Sequence, residues 1–248
     1  MTNLGFLALL LCSVFLLAGF VKGLLGLGLP TVAMGLLGLF MSPVEAAAIL
    51  LLPSLVTNVW QLVAGPRFNS LLRRLWPMML GIVAGTLAGS GVIAGATAQM
   101  ASTALGAALA IYGIVGLAKF RLRIPAATEG WAGPLVGTAT GLVTGATGVF
   151  VIPAVPYLGS LGLERDDLVQ ALGLSFTIST IALAGGLALH GALPLAASGR
   201  SLLAVLPALA GMWIGGWLRL RVRPGIFRLC FFAGLILLGA ELIWRGLR

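Results

Sequence analysis

The sequence predicts an all-α polytopic membrane protein, made of two homologous repeats of inverted orientation, with broken or re-entrant helices at two Gly-rich motifs. Three observations carry that reading. Hydrophobic residues form 60% of the chain and charged residues 8%, where soluble domains hold about 25% charged residues. Glycine and proline interrupt the apolar runs at two places. Those two places match each other in sequence.

The first motif runs from Gly19 to Pro30 and includes Lys22, Gly23, Gly26 and Gly28. Gly28 and Pro30 make continuous helix costly, through glycine's backbone entropy and proline's missing N–H. Backbone groups freed in lipid have no water to turn to, so broken helix survives only inside protein or beside a wet cavity. The second motif, Thr140 to Gly148, lies over Ala18 to Gly26 without a gap. The offset of 122 aligns Gly19, Val21, Gly23 and Gly26 with Gly141, Val143, Gly145 and Gly148, and sets Thr144 opposite Lys22. It also carries Glu45 to Asp167, Thr57 to Ser179 and Asn58 to Thr180. Pro77, Gly81 and Gly85 match Pro207, Gly211 and Gly215 at an offset of 130. The repeats are therefore residues 1–123 and 124–248.

Apolar segments cover residues 4–22, 29–41, 44–64, 75–95, 100–118, 131–143, 149–162, 167–190, 201–218 and 226–244. A helix needs about 20 residues to cross the hydrocarbon, so 29–41, 131–143 and 149–162 are too short to cross alone. All three flank the motifs. The first residues lack a positively charged leader region, so the N-terminal segment is expected to be retained. Ser42-Pro43-Val44-Glu45 reads as a capping box with proline at the first helical position. Asp167 occupies the matching place, where the helix dipole favours an acid; capping is the plain role of both acids, and proton coupling the alternative.

The loops give orientation. Arg67, Arg73 and Arg74 form one basic cluster, Lys119, Arg121 and Arg123 a second, and Arg219, Arg221, Arg223 and Arg228 a third. Inverted repeats bring all three to one side, leaving Arg200, Arg245 and Arg248 on the other. Basic residues mark the cytoplasmic side. The net charge of +9 therefore reads as topology, and no nucleic-acid partner is implied.

Polar residues inside apolar helices carry the most information about function. Ser54, Thr57, Asn58 and Gln61 fall at i, i+3, i+4 and i+7, on one helical face. Ser175, Ser179 and Thr180 form a shorter stripe in the second repeat. Two readings stand: interhelical hydrogen bonding, or the lining of a polar pathway beside the motifs. Lys22 likewise has two readings, escape to the interface from the end of its segment or contact with a substrate anion. The candidate substrate-binding set is Lys22, Gly23, Gly26, Gly28, Thr57, Asn58, Gln61, Thr144, Gly145, Thr147, Gly148, Ser175, Ser179 and Thr180. Trp60 reads as an interfacial residue and Tyr157 as packing; His190 reads as interfacial, with a pH-sensing or substrate role as the alternative.

Cys12 and Cys230 lie in apolar segments and read as buried packing residues. One histidine cannot supply a hydrolytic or metal constellation. No enzyme activity, metal site or cofactor is indicated.

Gly19 to Pro30 with its helix start at Pro43 to Ala46, and Gly141 to Pro153 with Pro156-Tyr157-Leu158 and Gln170 to Phe176, resemble the sulfite exporter (TauE/SafE) family over almost the whole chain. The resemblance implies a multi-pass transporter of the bacterial inner membrane for sulfur-containing anions such as sulfite or small organosulfonates. The residues agree on class. Paired interrupted segments point to a secondary transporter, and helix starts at a break present N–H groups to an oxyanion. The expected function is a secondary transporter or facilitator of a small anion by alternating access. A proton or sodium ion stands as coupling ion, and the oligomeric state is open. The alternative is a non-transporting integral membrane scaffold or assembly factor.

Overall fold

The computed structural model describes residues 4–118, 124, 125, 128–193, 195–219, 221 and 224–248. Lys119, Arg121, Arg123 and Arg223 of the basic clusters lie outside the described residues. Ten helices are described: α1 (Leu4–Leu25), α2 (Leu29–Leu37), α3 (Pro43–Val63), α4 (Phe68–Gly95), α5 (Ala98–Leu117), α6 (Glu129–Thr147), α7 (Ala154–Ser160), α8 (Arg165–Leu189), α9 (Leu195–Leu218) and α10 (Pro224–Gly246). The order long, short, long, long, long occurs twice. Seven of them are long and apolar enough to cross a membrane; α2, α6 and α7 are not among these.

The breaks fall where glycine permits them. Gly26 and Gly28 have φ of 78° and 106°, and Gly148 has 72°, in the left-handed region that penalises residues with a Cβ. Pro30 then sits in the first turn of α2, where its missing N–H costs nothing. The end of α2 turns back beside the start of α1, with the Phe6 and Phe40 rings 6.5 Å apart. Two lengths differ from the sequence reading. α1 continues past Lys22 to Leu25, and α6 covers 19 residues rather than 131–143. The glycine and threonine content that lowers α6's hydropathy does not stop it as a helix. The Thr140, Thr144 and Thr147 hydroxyls each donate to the carbonyl four residues back.

Proline inside α3 is accommodated by a neighbour. Pro53 has no N–H to give the carbonyl of Ile49, four residues earlier. The Ser201 hydroxyl of α9 donates to that carbonyl at 2.8 Å and accepts from the Leu52 N–H at 3.2 Å.

Helices of the two halves pack mostly on each other. α3 and α8 run antiparallel: Ser54 meets Thr180, Gln61 meets Gly173, and Gly65 meets Gln170. α5 and α10 do the same, with Gly106 against Gly239 and Gly113 against Phe232. α1 and α4 take partners from the other half in parallel, α1 on α9 and α4 on α6. Gly85 lies against Thr138 and Leu142, while Gly211 lies against Leu16 and Phe20. Since 16 and 20 are 138 and 142 less 122, packing pairs Gly85 with Gly211 and Gly89 with Gly215. This is one helical turn away from the sequence match of Gly81 with Gly211. Glycines spaced by four in both helices leave the pattern unchanged by a one-turn shift, so sequence alone cannot fix that register.

The arginines divide between two ends. Arg67 pairs with Asp167 at 3.5 Å and Arg74 with Glu129 at 2.6 Å, where α3 ends and α4, α6 and α8 begin. Arg219 lines a small pocket there with Pro66 and Asp166. At the opposite end Arg200 pairs with Glu45, and Arg245 donates to the Leu39 carbonyl. Leu206, Trp213 and Leu237 are exposed on the outer face. Cys12 and Cys230 are exposed too, not buried as expected, because an apolar segment in lipid shows apolar residues outward as well as inward.

Candidate functional site

The site grows from Lys22, three residues before α1 ends. Its side chain is 2% exposed. It does not escape to the interface: Nζ donates to Thr57 Oγ1 at 3.2 Å and to Asn58 Oδ1. Thr57 gives its own proton to the Pro53 carbonyl at 2.8 Å, which leaves its lone pairs for the lysine. Asn58 Nδ2 donates to Ser54 Oγ at 3.0 Å and to Thr180 Oγ1 at 3.3 Å. Thr180 donates onward to the Phe176 carbonyl. The stripe at i, i+3 and i+4 on α3 is thus one network that joins α1 to α8.

This network consists of neutral dipoles around one lysine amine. Among the described residues no carboxylate lies within 4 Å of Lys22; Glu45, Glu129, Asp167 and Glu241 each pair with an arginine elsewhere. Removing an ammonium from water costs several kcal/mol when no counter-charge accompanies it. Neutral hydrogen bonds return only about 1.5–3 kcal/mol each when one partner is charged.

The other expected residues are distributed. Gln61 Nε2 donates to the carbonyls of Gly26 and Val169, at 2.9 and 2.8 Å, tying the first break to α8. Its Oε1 is buried without a partner. Gly23 and Gly145 serve close approach: a Cβ on Gly23 would lie 2.1 Å from the Met212 carbonyl oxygen, and one on Gly145 2.5 Å from that of Thr86. Gly148 lies against Met34 and Ala47. Ala47 and Gln61 stand fourteen residues apart on α3, about 21 Å at 1.5 Å per residue. The structure therefore separates the two breaks along α3. It brings together Lys22, Thr57, Asn58 and Thr180, with Ser54. Thr144 stays bound to its own helix, and Thr147 Oγ1 accepts from the Val149 N–H at the second break. Ser175 and Ser179 are buried with unpartnered hydroxyls.

Some contributors were not singled out in the sequence. Thr86 of α4 is fully buried with an unpartnered hydroxyl; its place among glycines at 81, 85 and 89 was the available signal. Gln170 Nε2 ties down the end of α3 through the Leu62 and Gly65 carbonyls. A cavity of about 1250 Å³ opens at the end that carries Arg165 and Arg219, and it reaches Leu24, Leu25 and Leu27 at the first break. Its lining on α1 begins at Leu24, two residues after Lys22, and none of the expected site residues lines it. Tyr157 packs under Gly133, and Trp60 is exposed. His190 caps the end of α8, with Nδ1 2.8 Å from the Gly186 carbonyl oxygen.

A family model described as sulfite exporter TauE/SafE matches residues 11–242, nearly the whole chain. No curated protein and no solved structure matches it.

Proposed function

We infer that this chain, which belongs to the sulfite exporter TauE/SafE family of membrane transporters, works as a secondary transporter or facilitator for a small sulfur-containing anion, of the sulfite or organosulfonate class. Its place is the bacterial inner membrane, and the anion crosses by alternating access between two inverted repeats. One observation carries the reading. Lys22 is buried among Thr57, Asn58 and Thr180 with no carboxylate beside it, and a bound oxyanion would hold it as the ammonium and offer both the charge and the acceptors that form needs. The matching helices α3 and α8, and α5 and α10, cross antiparallel, which supports inversion. In the second repeat Thr144 stands where Lys22 does, so a single cation serves a single anion held between the repeats. A proton or sodium gradient, or the anion's own gradient, supplies the drive.

The test is flux of radiolabelled sulfite, sulfate, thiosulfate and small organosulfonates in sealed proteoliposomes. Saturable flux of sulfite or an organosulfonate, lost in Lys22→Gln, is the expected result. A scaffold gives neither flux nor anion-dependent thermal stabilisation, and finding neither overturns the reading.

A further inference from the structure

Six acidic residues are present in the chain, and four of them are engaged in ion pairs. Among the described residues three arginines line the large cavity: Arg165, Arg219 and Arg228. Arg165 and Arg219 have no carboxylate within 4 Å among the described residues, and Arg228 donates to the carbonyl of Gly116 and lies over the Phe232 ring. No acidic residue lines the same cavity. Burial, together with the neighbouring Arg165, holds the Arg219 guanidinium below the usual arginine range, with Asp166 offsetting part of this. Like charges turned into one partly dry space repel unless an anion lies between them. The cavity's inner wall is Leu24, Leu25 and Leu27 of the first break, and Lys22 lies two residues before Leu24.

We propose that this cavity is an anion-receiving antechamber, in which Arg165 and Arg219, with Arg228, hold the transported oxyanion before it passes the leucines of the first break to Lys22. This rests on the transport reading above and adds a second, outer site to it. A cleft lined by one sign of charge, with low-dielectric walls, concentrates the opposite ion. The site at Lys22 holds one anion among neutral dipoles; the antechamber raises the local concentration from which it fills. Guanidinium groups suit it because they remain charged while partly desolvated and pair with two oxygens at once. The same chemistry fits the phosphate of an anionic lipid, whose chains would lie along the apolar wall, and the experiment separates the two sources.

The experiment uses full-length protein with sulfite as the probe, comparing wild type, Arg165→Gln/Arg219→Gln, Arg219→Lys and Lys22→Gln. Sulfite flux is followed in proteoliposomes where substrate approaches from the arginine-bearing side. The double variant is expected to raise KM about tenfold at low ionic strength, with kcat retained and the difference shrinking at high salt. Arg219→Lys, which keeps Arg165 and a positive charge at 219, should stay close to the wild-type KM. Calorimetric titration of sulfite into detergent-solubilised protein gives a second readout: Lys22→Gln should keep a weak, salt-sensitive binding component that the double variant lacks. An unchanged KM and salt dependence in the double variant overturns the antechamber while leaving transport standing. A double variant whose KM responds to anionic lipid content, not to salt, overturns it in favour of a lipid headgroup site. If wild type carries no flux, the transport reading fails, and loss or persistence of the salt-sensitive component in the double variant still decides whether the arginines bind an anion.

Discussion

Asn58 donates from Nδ2 to Thr180 Oγ1 at 3.3 Å, and the two residues occupy matching positions of the two halves, 122 apart in sequence. A residue in contact with its own counterpart lies beside the axis that would relate inverted repeats. The lysine bonded to Asn58 has no such counterpart, because Thr144 takes that place. At the centre of the network two positions that match in sequence meet, and the lysine beside them belongs to one half alone.

Asn58→Asp places a carboxylate against Lys22 and gives the ammonium a permanent counter-charge. The variant should fold and insert, with thermal stability equal to or above wild type. Sulfite should then no longer raise its melting temperature. Retained sulfite stabilisation in this variant would show that Lys22 is not the anion's partner.

Lys22→Gln removes the cation but keeps hydrogen-bonding capacity toward Thr57 and Asn58. Sulfite affinity measured by calorimetry should fall at least about tenfold, the equivalent of about 1.4 kcal/mol, and Thr144→Val should change it less. Equal affinity in Lys22→Gln and wild type would leave the lysine with an anchoring role only.

Thr180→Val and Asn58→Leu remove members of the network outright. Each leaves a buried polar group unpaired, at a cost of about 1–3 kcal/mol, so some loss of stability is expected. Transport by the inserted fraction should fall further than the yield of folded protein. If the two losses run in proportion, the stripe serves helix packing and nothing more.

Gly23→Ala should be strongly destabilising, because the new Cβ would lie 2.1 Å from the Met212 carbonyl oxygen and force α1 off α9. Gly216→Ala, with nothing within 4 Å of its Cβ position, should shift the melting temperature little. Thermal unfolding in detergent compares the pair; similar shifts in both would contradict the close approach of α1 and α9.

Single cysteines at Ser70 and Arg221, in a background lacking Cys12 and Cys230, should react with an impermeant thiol reagent from one face of the membrane. A cysteine at Arg200 should react from the other face. Labelling of positions 70 and 221 from opposite faces would contradict inverted insertion.

Composition and run length determined the class: 8% charged residues put the chain in lipid, and apolar runs of about 20 residues satisfy their backbone there as helices. The glycine motifs located the breaks, because only glycine takes positive φ cheaply there, and the i, i+3, i+4 spacing put Thr57 and Asn58 on one face. Helical periodicity is a local property and needs no partner to be legible. Tertiary structure decided the rest. Whether Lys22 ended its helix at water or turned inward depended on how far α1 ran and on α3 lying beside it. The one-turn register of α4 on α6 against α9 on α1 depended on carbonyls that only meet in the packed bundle, since glycines at every fourth position fit either way. Arg219 and Arg228 read in sequence as members of a basic loop cluster; the cavity they share with Arg165 exists only because three distant helix ends converge around it.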